Sequence, residues 1–510
     1  MPFACAHRGD SSRYRENTIE AIRSAIENGA DVVEIDVRLS SDKEVIVIHD
    51  STLERMWGVP KEVTELSWAE ISSIRTDSYR IPLLSEVLEL FKGNPTLLMI
   101  DMEVTDPAIA ALEVVKASQM PLNQVTWCGN TEAMRLIRRA SSEARIWMAW
   151  DRLELPTDGQ LAELKPEFLN FHYSVLDAKR VAEAHKLGCK VSAWTVQEHT
   201  TMRWAAAIGI DSITTDYLSV LKGVIAERPS LDSDGPKALS IGTREMERIE
   251  QVAIQLGKFA VLVTTNFEPG EMSFKANAGD IVTAIDLLIE THVREVISAN
   301  LKGHNVVGEE FGGKTIPDVP NWYLDPIDGT TNFANRIPWT SFSLAMAINR
   351  KPMIGVVAQP WLGKVYFATE GKGAFCDGVK ISLENEKGVK LSSRVVSTEL
   401  AAYMPWPGMI AMLNSLAERF CTMRIMGSGT LTLLSVAANQ SVGSVISTFS
   451  PIDHLAAVLI VKEAGGVVLN QLGEADIFPT NGGVLCATPG VAQELHEIWR
   501  TALDLEKGGK

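Results

Sequence analysis

Cysteine is scarce in this chain. Its 510 residues hold six, at Cys5, Cys128, Cys189, Cys376, Cys421 and Cys486. No two stand at C-x-x-C spacing, which excludes the zinc and dithiol redox motifs built on that pair. They read as small buried hydrophobes in a reducing compartment. No uninterrupted apolar run reaches about 18 residues, which excludes an ordinary spanning helix. The opening stretch, Met1 to Gly9, lacks the charged and long apolar segments of a secretory leader, so the expected location is the cytoplasm. Internal repeats and low-complexity tracts are missing too. Positive charge is in deficit: 48 Lys and Arg stand against 64 Asp and Glu, a net −16. Such a surface repels phosphate backbones and anionic lipid, so neither nucleic acid nor membrane is an expected partner. It does not argue against a small phosphate held through a metal ion, which itself needs carboxylates.

What is present is an ordinary globular composition, 46% hydrophobic and 22% charged. At about 150 residues per domain the length suggests three domains; with barrels of roughly 250 residues it suggests two. From Phe3 to about Val220 short apolar runs alternate with amphipathic segments such as Thr18–Asn28 and Leu84–Phe91. Nine runs read as strands: Phe3–Ala6, Val32–Val37, Val45–Ile48, Thr96–Glu103, Gln124–Cys128, Arg145–Met148, Phe168–Phe171, Lys190–Trp194 and Ser212–Thr215. This βα repetition implies a mainly parallel sheet, and nine is one more than a closed eight-stranded barrel holds. One candidate is therefore an excursion that periodicity does not single out. Pro, Gly, Ser and Asp then concentrate over 227–242, which marks an exposed linker. Beyond it come long helical patterns (Arg244–Thr265, Asp280–Asn300) and strands such as Pro352–Gln359 and Lys364–Thr369. The expected organisation is two domains, 1–226 and 243–510, the first a parallel barrel and the second layered α/β.

Polar pairs cluster at the ends of the early strands. His7-Arg8-Gly9 ends the first, Glu34-Ile35-Asp36 lies in the second, His49-Asp50 ends the third, and Asp101-Met102-Glu103 ends the fourth. Residues i and i+2 of a strand share a face, so Glu34 joins Asp36 and Asp101 joins Glu103. Singly, each has a bland reading as a structural histidine or a polar strand face. Together, two histidines with carboxylates at the C-terminal ends of barrel strands suit a divalent cation and acid/base partners.

These residues resemble the glycerophosphodiester phosphodiesterases. The resemblance runs through H-R-G, Glu16-Asn17-Thr18, E-x-D-V, H-D, the Ile81–Leu88 stretch, Ala193-Trp194-Thr195-Val196 and Ser212–Asp216. It implies a TIM barrel that binds Mg²⁺ or Ca²⁺, with Glu34, Asp36 and Asp101 as ligands. It also implies His7 and His49 as general base and general acid, Arg8 on phosphate, and Trp194 in the substrate site. One departure stands out. The family usually carries glutamate-x-lysine where this chain has Asp101-x-Glu103. Either another cation substitutes, or Glu103 joins the metal shell or binds substrate hydroxyls.

The later chain holds Gly308-Glu309-Glu310, Asp325-Pro326-Ile327-Asp328-Gly329-Thr330 and Asp453. D-P and D-G are turn dipeptides. Placed after Trp322-Tyr323-Leu324, however, the turn sits at a strand end, where Asp325, Asp328 and the Ile327 carbonyl can offer hard oxygen ligands to Mg²⁺. The Gly329 and Thr330 amides could hold a phosphate. This portion resembles the inositol monophosphatase family through Trp322–Phe333, Asp453-x-x-Ala456 with Glu463–Gly466, Asp280–Asp286 and Gly371–Phe375. The resemblance implies a sugar-phosphatase fold. Two or three Mg²⁺ ions would be held by Glu309, Asp325, Asp328, Asp453 and the Ile327 carbonyl. It further implies that Thr330, paired with Asp286, orients or deprotonates the attacking water, that Glu310 supports the water or a third ion, and that the domain can pair as a homodimer. The family's inositol-binding glutamate falls at Ile446, which suggests another sugar or polyol phosphate.

The leading expectation is a bifunctional catabolic phosphoesterase. The first domain would split a small soluble phosphodiester, glycerophosphoinositol-like or an opine-type sugar diester of the agrocinopine kind. The second would dephosphorylate the sugar or polyol phosphate. The alternatives are one inactive, regulatory domain, or two sites acting on unrelated substrates.

Overall fold

The computed structural model describes residues 1–239, 241–268, 272–274, 281–401 and 403–507. The chain divides into two compact units, Met1–Leu231 and Asp232–Lys510. Among the described residues no helix is long and apolar enough to cross a membrane. All six cysteines are free thiols, and five are buried.

The first unit is a closed barrel of eight parallel strands. They are β1 (Phe3–Ala6), β2 (Val32–Leu39), β3 (Leu97–Met102), β4 (Val125–Gly129), β5 (Arg145–Trp150), β6 (Phe168–His172), β7 (Lys190–Trp194) and β8 (Ser212–Thr215). Neighbours in sequence pair in parallel, and β1 pairs with both β2 and β8 to close the ring. The ninth run is the excursion: Val45–Val47 folds back antiparallel on Val37–Leu39. The turn between them is closed by Ser40 and Glu44, with Lys43 at φ 68°.

Polarity is graded along the barrel axis. Cys5, Val32, Met99, Cys128, Trp147 and Phe168 form an apolar plug, with the Trp147 and Phe168 rings stacked at 3.9 Å. Glu34 and Asp36 follow Val32 on the same face of β2, and Asp101 follows Met99 on β3. The period-two pattern therefore buries apolar groups at one end of the interior and aims carboxylates at the other.

The second unit is built on two sheets. Seven strands lie in chain order from Asn305–Gly308 to Val379–Ile381, antiparallel after the first pair. Five more run in the order Thr422–Ile425, Val395–Thr398, Gly443–Ile446, Val484–Ala487, Val467–Asn470. Helices Gly429–Ala437 and Pro451–Glu463 pack on each other and on the sheets. Pro451–Glu463 is buried from His454 to Val461, as a helix apolar all round must be. Gly355 makes room for it: a Cβ there would lie 2.7 Å from the Ala456 carbonyl oxygen.

Two expectations need correction. The long helix begins at Ala284, not at residue 280, because Thr283 caps it in a reciprocal box with Asp286 and Ile281–Thr283 is a strand. Asp280 itself lies outside the described residues. The expected linker is tied down at a few points as well. Its first residue, Glu227, ends the helix Leu218–Glu227. Asp232 receives the Gly303 amide at 2.7 Å and its own amide reaches Ser298 Oγ at 2.7 Å, while the Lys237 amide meets the Gly303 carbonyl. The Asp232 and Lys237 amides, which a free linker would leave to water, are thereby satisfied.

Candidate active sites

The mouth of the barrel opens on a cavity of about 360 Å³ whose walls include His7, Arg8, Glu34, Asp36, His49 and Asp101. Glu103 and Trp194 line it as well. The H-R-G turn that follows β1 brings Arg8 into the site at φ 54°. Gly9 is required there, since a Cβ would lie within 2.9 Å of Ala21. The Arg8 amide donates to Glu34 Oε2 at 2.7 Å, and its guanidinium meets Asp36 at 3.1 Å and Glu16 at 3.0 Å. Each residue of the E-N-T motif has a separate task. Glu16 pairs with Arg8 and Arg55, Asn17 brackets Asp36 through its amide and carbonyl, and Thr18 caps the helix Ile19–Glu27.

Both histidines are held at Nδ1 by a carboxylate. His7 Nδ1 lies 2.7 Å from Asp216, which also accepts from Ser11 and Gln197. His49 Nδ1 lies 2.7 Å from Asp50. A carboxylate at Nδ1 fixes the tautomer and leaves Nε2 for proton transfer. Hydrogen bonds from Arg55 pull Asp50 down to about 2, so it stays charged. Glu34 is pushed well above the usual carboxylate range by burial and by the charges of Asp36 and Asp101. Burial and Asp36 likewise push Asp101 up to about 6. Gly129 leaves space for this carboxylate: a Cβ would meet the Met102 carbonyl at 2.3 Å and Asp101 Oδ1 at 2.6 Å.

In the second unit the strand Asn321–Asp328 shifts register between Asp325 and Asp328. That irregularity separates the two aspartates along the strand. Asp325 is buried, and its Oδ1 has no hydrogen-bond partner. Burial and the charges of Glu309, Asp328 and Asp453 push its carboxyl well up. Asp328 accepts from Ser428 Oγ and from the Thr430 amide at 2.9 Å, at the start of the helix Gly429–Ala437. Burial still pushes it to about 6. Gly329, at φ 89°, is needed because a Cβ would meet the Gly427 carbonyl at 2.8 Å. The Gly308-Glu309-Glu310 turn is fixed by buried Glu290, which accepts from the Glu310 and Phe311 amides and from Arg294. Asp453 stands in the first turn of the helix Pro451–Glu463.

One expected pairing is missing. Thr330 Oγ1 donates to the Ile327 carbonyl at 2.9 Å, whereas Asp286 Oδ2 is taken by the amide and hydroxyl of Thr283. The nearer capping hydroxyl wins, and Asp286 Oδ1 is left buried without a partner. Burial pushes Asp286 to about 7. Two other motif pieces are structural: Glu463 accepts the Gly371 and Gly373 amides, each at 3.0 Å. Ile446 is buried in the core.

The donor sets at both centres suit hard divalent cations: oxygen ligands, several like charges and, at Asp325, an orphaned oxygen. Among the described residues no three such groups are already gathered at full ligation spacing. Crowded carboxylates, rather than a finished shell, mark the two places.

Residues 245–503 match the family model described as the inositol monophosphatase family. The chain belongs to that family. Residues 7–220 match the glycerophosphoryl diester phosphodiesterase family, so the protein is a fusion of the two. Human inositol monophosphatase 1 is 33% identical over 231 residues, 43% of this chain and 83% of that protein. Nus factor SuhB of Pasteurella multocida is 31% identical over 220 residues, 43% of this chain and 82% of its own length. A solved Oleispira antarctica phosphodiesterase, in complex with the product sn-glycerol-3-phosphate, is 23% identical with a TM-score of 0.42, covering 44% of this chain and 97% of that one.

Sequence reasoning gave no role to Asp216, Asp50, Arg55, Glu290 or Gly129. Asp216 and Asp50 lay within quoted motifs, adjacent to Thr215 and His49. Glu290 and Arg294 stand four apart on one helix face, a visible i,i+4 pair.

Proposed function

We propose that this fusion carries out two successive phosphoester hydrolyses. The barrel cleaves a small soluble sugar or polyol phosphodiester to an alcohol and a phosphomonoester, and the second unit releases phosphate from the monoester. What carries the reading is the crowding in the barrel mouth. Four carboxylates, two carboxylate-held histidines and Arg8 face one cavity of a size to take a small diester.

In the barrel, Glu34, Asp36 and Asp101 would hold a divalent cation, Mg²⁺ or Ca²⁺. When bound, it supplies charge neutralisation at the phosphate. Arg8 binds a phosphate oxygen. His7, its Nδ1 proton held by Asp216, takes a proton at Nε2 from the attacking water, and His49 delivers one from Nε2 to the leaving alcohol. In the second unit, Glu309, Asp325, Asp328, Asp453 and the Ile327 carbonyl would hold two or three Mg²⁺. The Gly329 and Thr330 amides orient the phosphate. Asp286 Oδ1, buried and unpartnered, accepts a proton from water, and Glu310 positions that water. Joining both sites on one chain raises the local concentration of intermediate by tethering.

The test is release of inorganic phosphate from a panel of diesters with Mg²⁺. The parent enzyme should release it, and His7→Ala should abolish release from diesters while sparing it from monoesters. Undiminished release from diesters by His7→Ala would refute the barrel's part.

A further inference from the structure

Strand β2 carries Glu34, Asp36 and then Arg38 on one face. Asp36 is in register with Asp101 of β3, and Arg38 and Glu103 each lie two residues further along the chain, Glu103 just past the end of β3. Their side chains meet, Arg38 Nη2 donating to Glu103 Oε2. Arg38 is also anchored by Nε, which donates to the His49 carbonyl at 2.5 Å. Its side chain is 11% exposed, against 66% for Glu103. Glu103 lines the catalytic cavity. Arg38 lines a second recess of about 110 Å³ with Ser40, Lys43, Ser51, Glu62 and Thr64.

We propose that the Arg38–Glu103 pair selects the alcohol arm of the diester and selects it for hydroxyl groups. The inference rests on the phosphodiesterase reading above and names its substrate class more closely. A carboxylate only accepts hydrogen bonds, at about four lone-pair sites. Arg38 takes one of them, and the exposed remainder of Glu103 offers acceptors to the cavity. Only donors satisfy it, and on the sugar or polyol arm of the proposed diester those are hydroxyls. An unpaired carboxylate beside a phosphate would repel the substrate. Arg38 cancels that charge, and its anchor on the His49 carbonyl keeps the pair fixed to the catalytic loop. At Arg38 the second recess sets the hydroxyls of Ser40, Ser51 and Thr64 and the charges of Lys43 and Glu62 beside Leu39, Val63, Val104 and Pro107.

The test compares kcat/KM for glycerophosphoinositol and glycerophosphoethanol, whose second arm lacks hydroxyls, in the parent, Glu103→Gln and Glu103→Lys. Glu103 is exposed, so these variants should fold. Arg38→Lys, which keeps the charge and loses the two-point hold, is the third variant. The parent should prefer the polyol diester. Glu103→Lys should reduce that preference by roughly 10- to 100-fold, the range that one hydrogen bond to a charged group commands. Glu103→Gln and Arg38→Lys should move it the same way by less. Equal effects on both diesters, or none, overturn the selection role while leaving the phosphodiesterase reading intact. A parent enzyme that cleaves neither diester overturns that reading and this inference with it.

Discussion

Replacing Asp101 by asparagine should make the metal-free barrel more stable, although it removes a proposed ligand. Burial and the neighbouring Asp36 push the Asp101 carboxyl to about 6, against 3.8 for an unperturbed aspartate. Keeping it ionised at pH 7.5 then costs the fold about 3 kcal/mol. The side chain keeps some access to water, and screening lowers the expectation to about 1–3 kcal/mol. The sign follows from the folded-state value lying above the unfolded one. The penalty is absent below pH 3.8, grows as pH rises towards 6, and is complete above it. The amide that replaces the carboxyl carries no charge, so Asp101→Asn should gain about 1–3 kcal/mol at pH 7.5 and almost nothing near pH 4. For a unit of this size that is about 2–12 °C in melting temperature. Differential scanning calorimetry in EDTA reads the shift directly. Saturating Mg²⁺ should reverse the ranking, because a cation at a thousand times its Kd adds about 4.1 kcal/mol to the parent alone. A variant that melts below the parent in EDTA at pH 7.5 would refute the argument from crowded charge. So would a gain that is the same at pH 4 and pH 7.5.

Asp216→Asn should lower diester turnover by about 100- to 10,000-fold through the wrong His7 tautomer, with monoester hydrolysis unchanged in a parallel phosphate-release assay. Gly129→Ala should destabilise the barrel by about 2–4 kcal/mol, since its methyl would strike the Met102 carbonyl and Asp101 at a positive φ; urea melts read this loss. In the second unit, Asp286 at about 7 makes the metal-free fold lose stability as pH rises from 3.8 to 7, and Asp286→Asn should flatten that slope in melts across pH.

The barrel was legible because its strands are apolar runs that end in charge, and eight of the nine candidates are barrel strands. Val45–Val47 has the same texture but pairs antiparallel, since a five-residue turn at Ser40–Glu44 folds it back on β2. Apolar content does not encode that direction. The carboxylates at Glu34, Asp36, Asp325 and Asp328 stood out by spacing along single strands. Their supports did not, because they arrive from far along the chain: Asp216 reaches His7 across 209 residues, and Ser428 reaches Asp328 across 100. The pairing of Thr330 with Asp286 failed for a local reason. Thr283, three residues before Asp286, closes a capping box that takes the carboxylate first. The linker reads as exposed by composition, yet Asp232 is an acceptor for the Gly303 amide. Composition reports the tendency of a segment, not the partner it finds.

The central claim is that one chain performs two hydrolyses in order. The most direct measurement uses Asp328→Asn, which keeps the side chain's shape at the start of the helix Gly429–Ala437 while removing a charge from the second centre. A sugar or polyol phosphodiester is supplied with Mg²⁺ and followed by phosphorus NMR. The diester signal should give way to a phosphomonoester that accumulates, with inorganic phosphate absent until parent enzyme is added. Undiminished inorganic phosphate from the variant, or no monoester from any diester offered, would contradict the account.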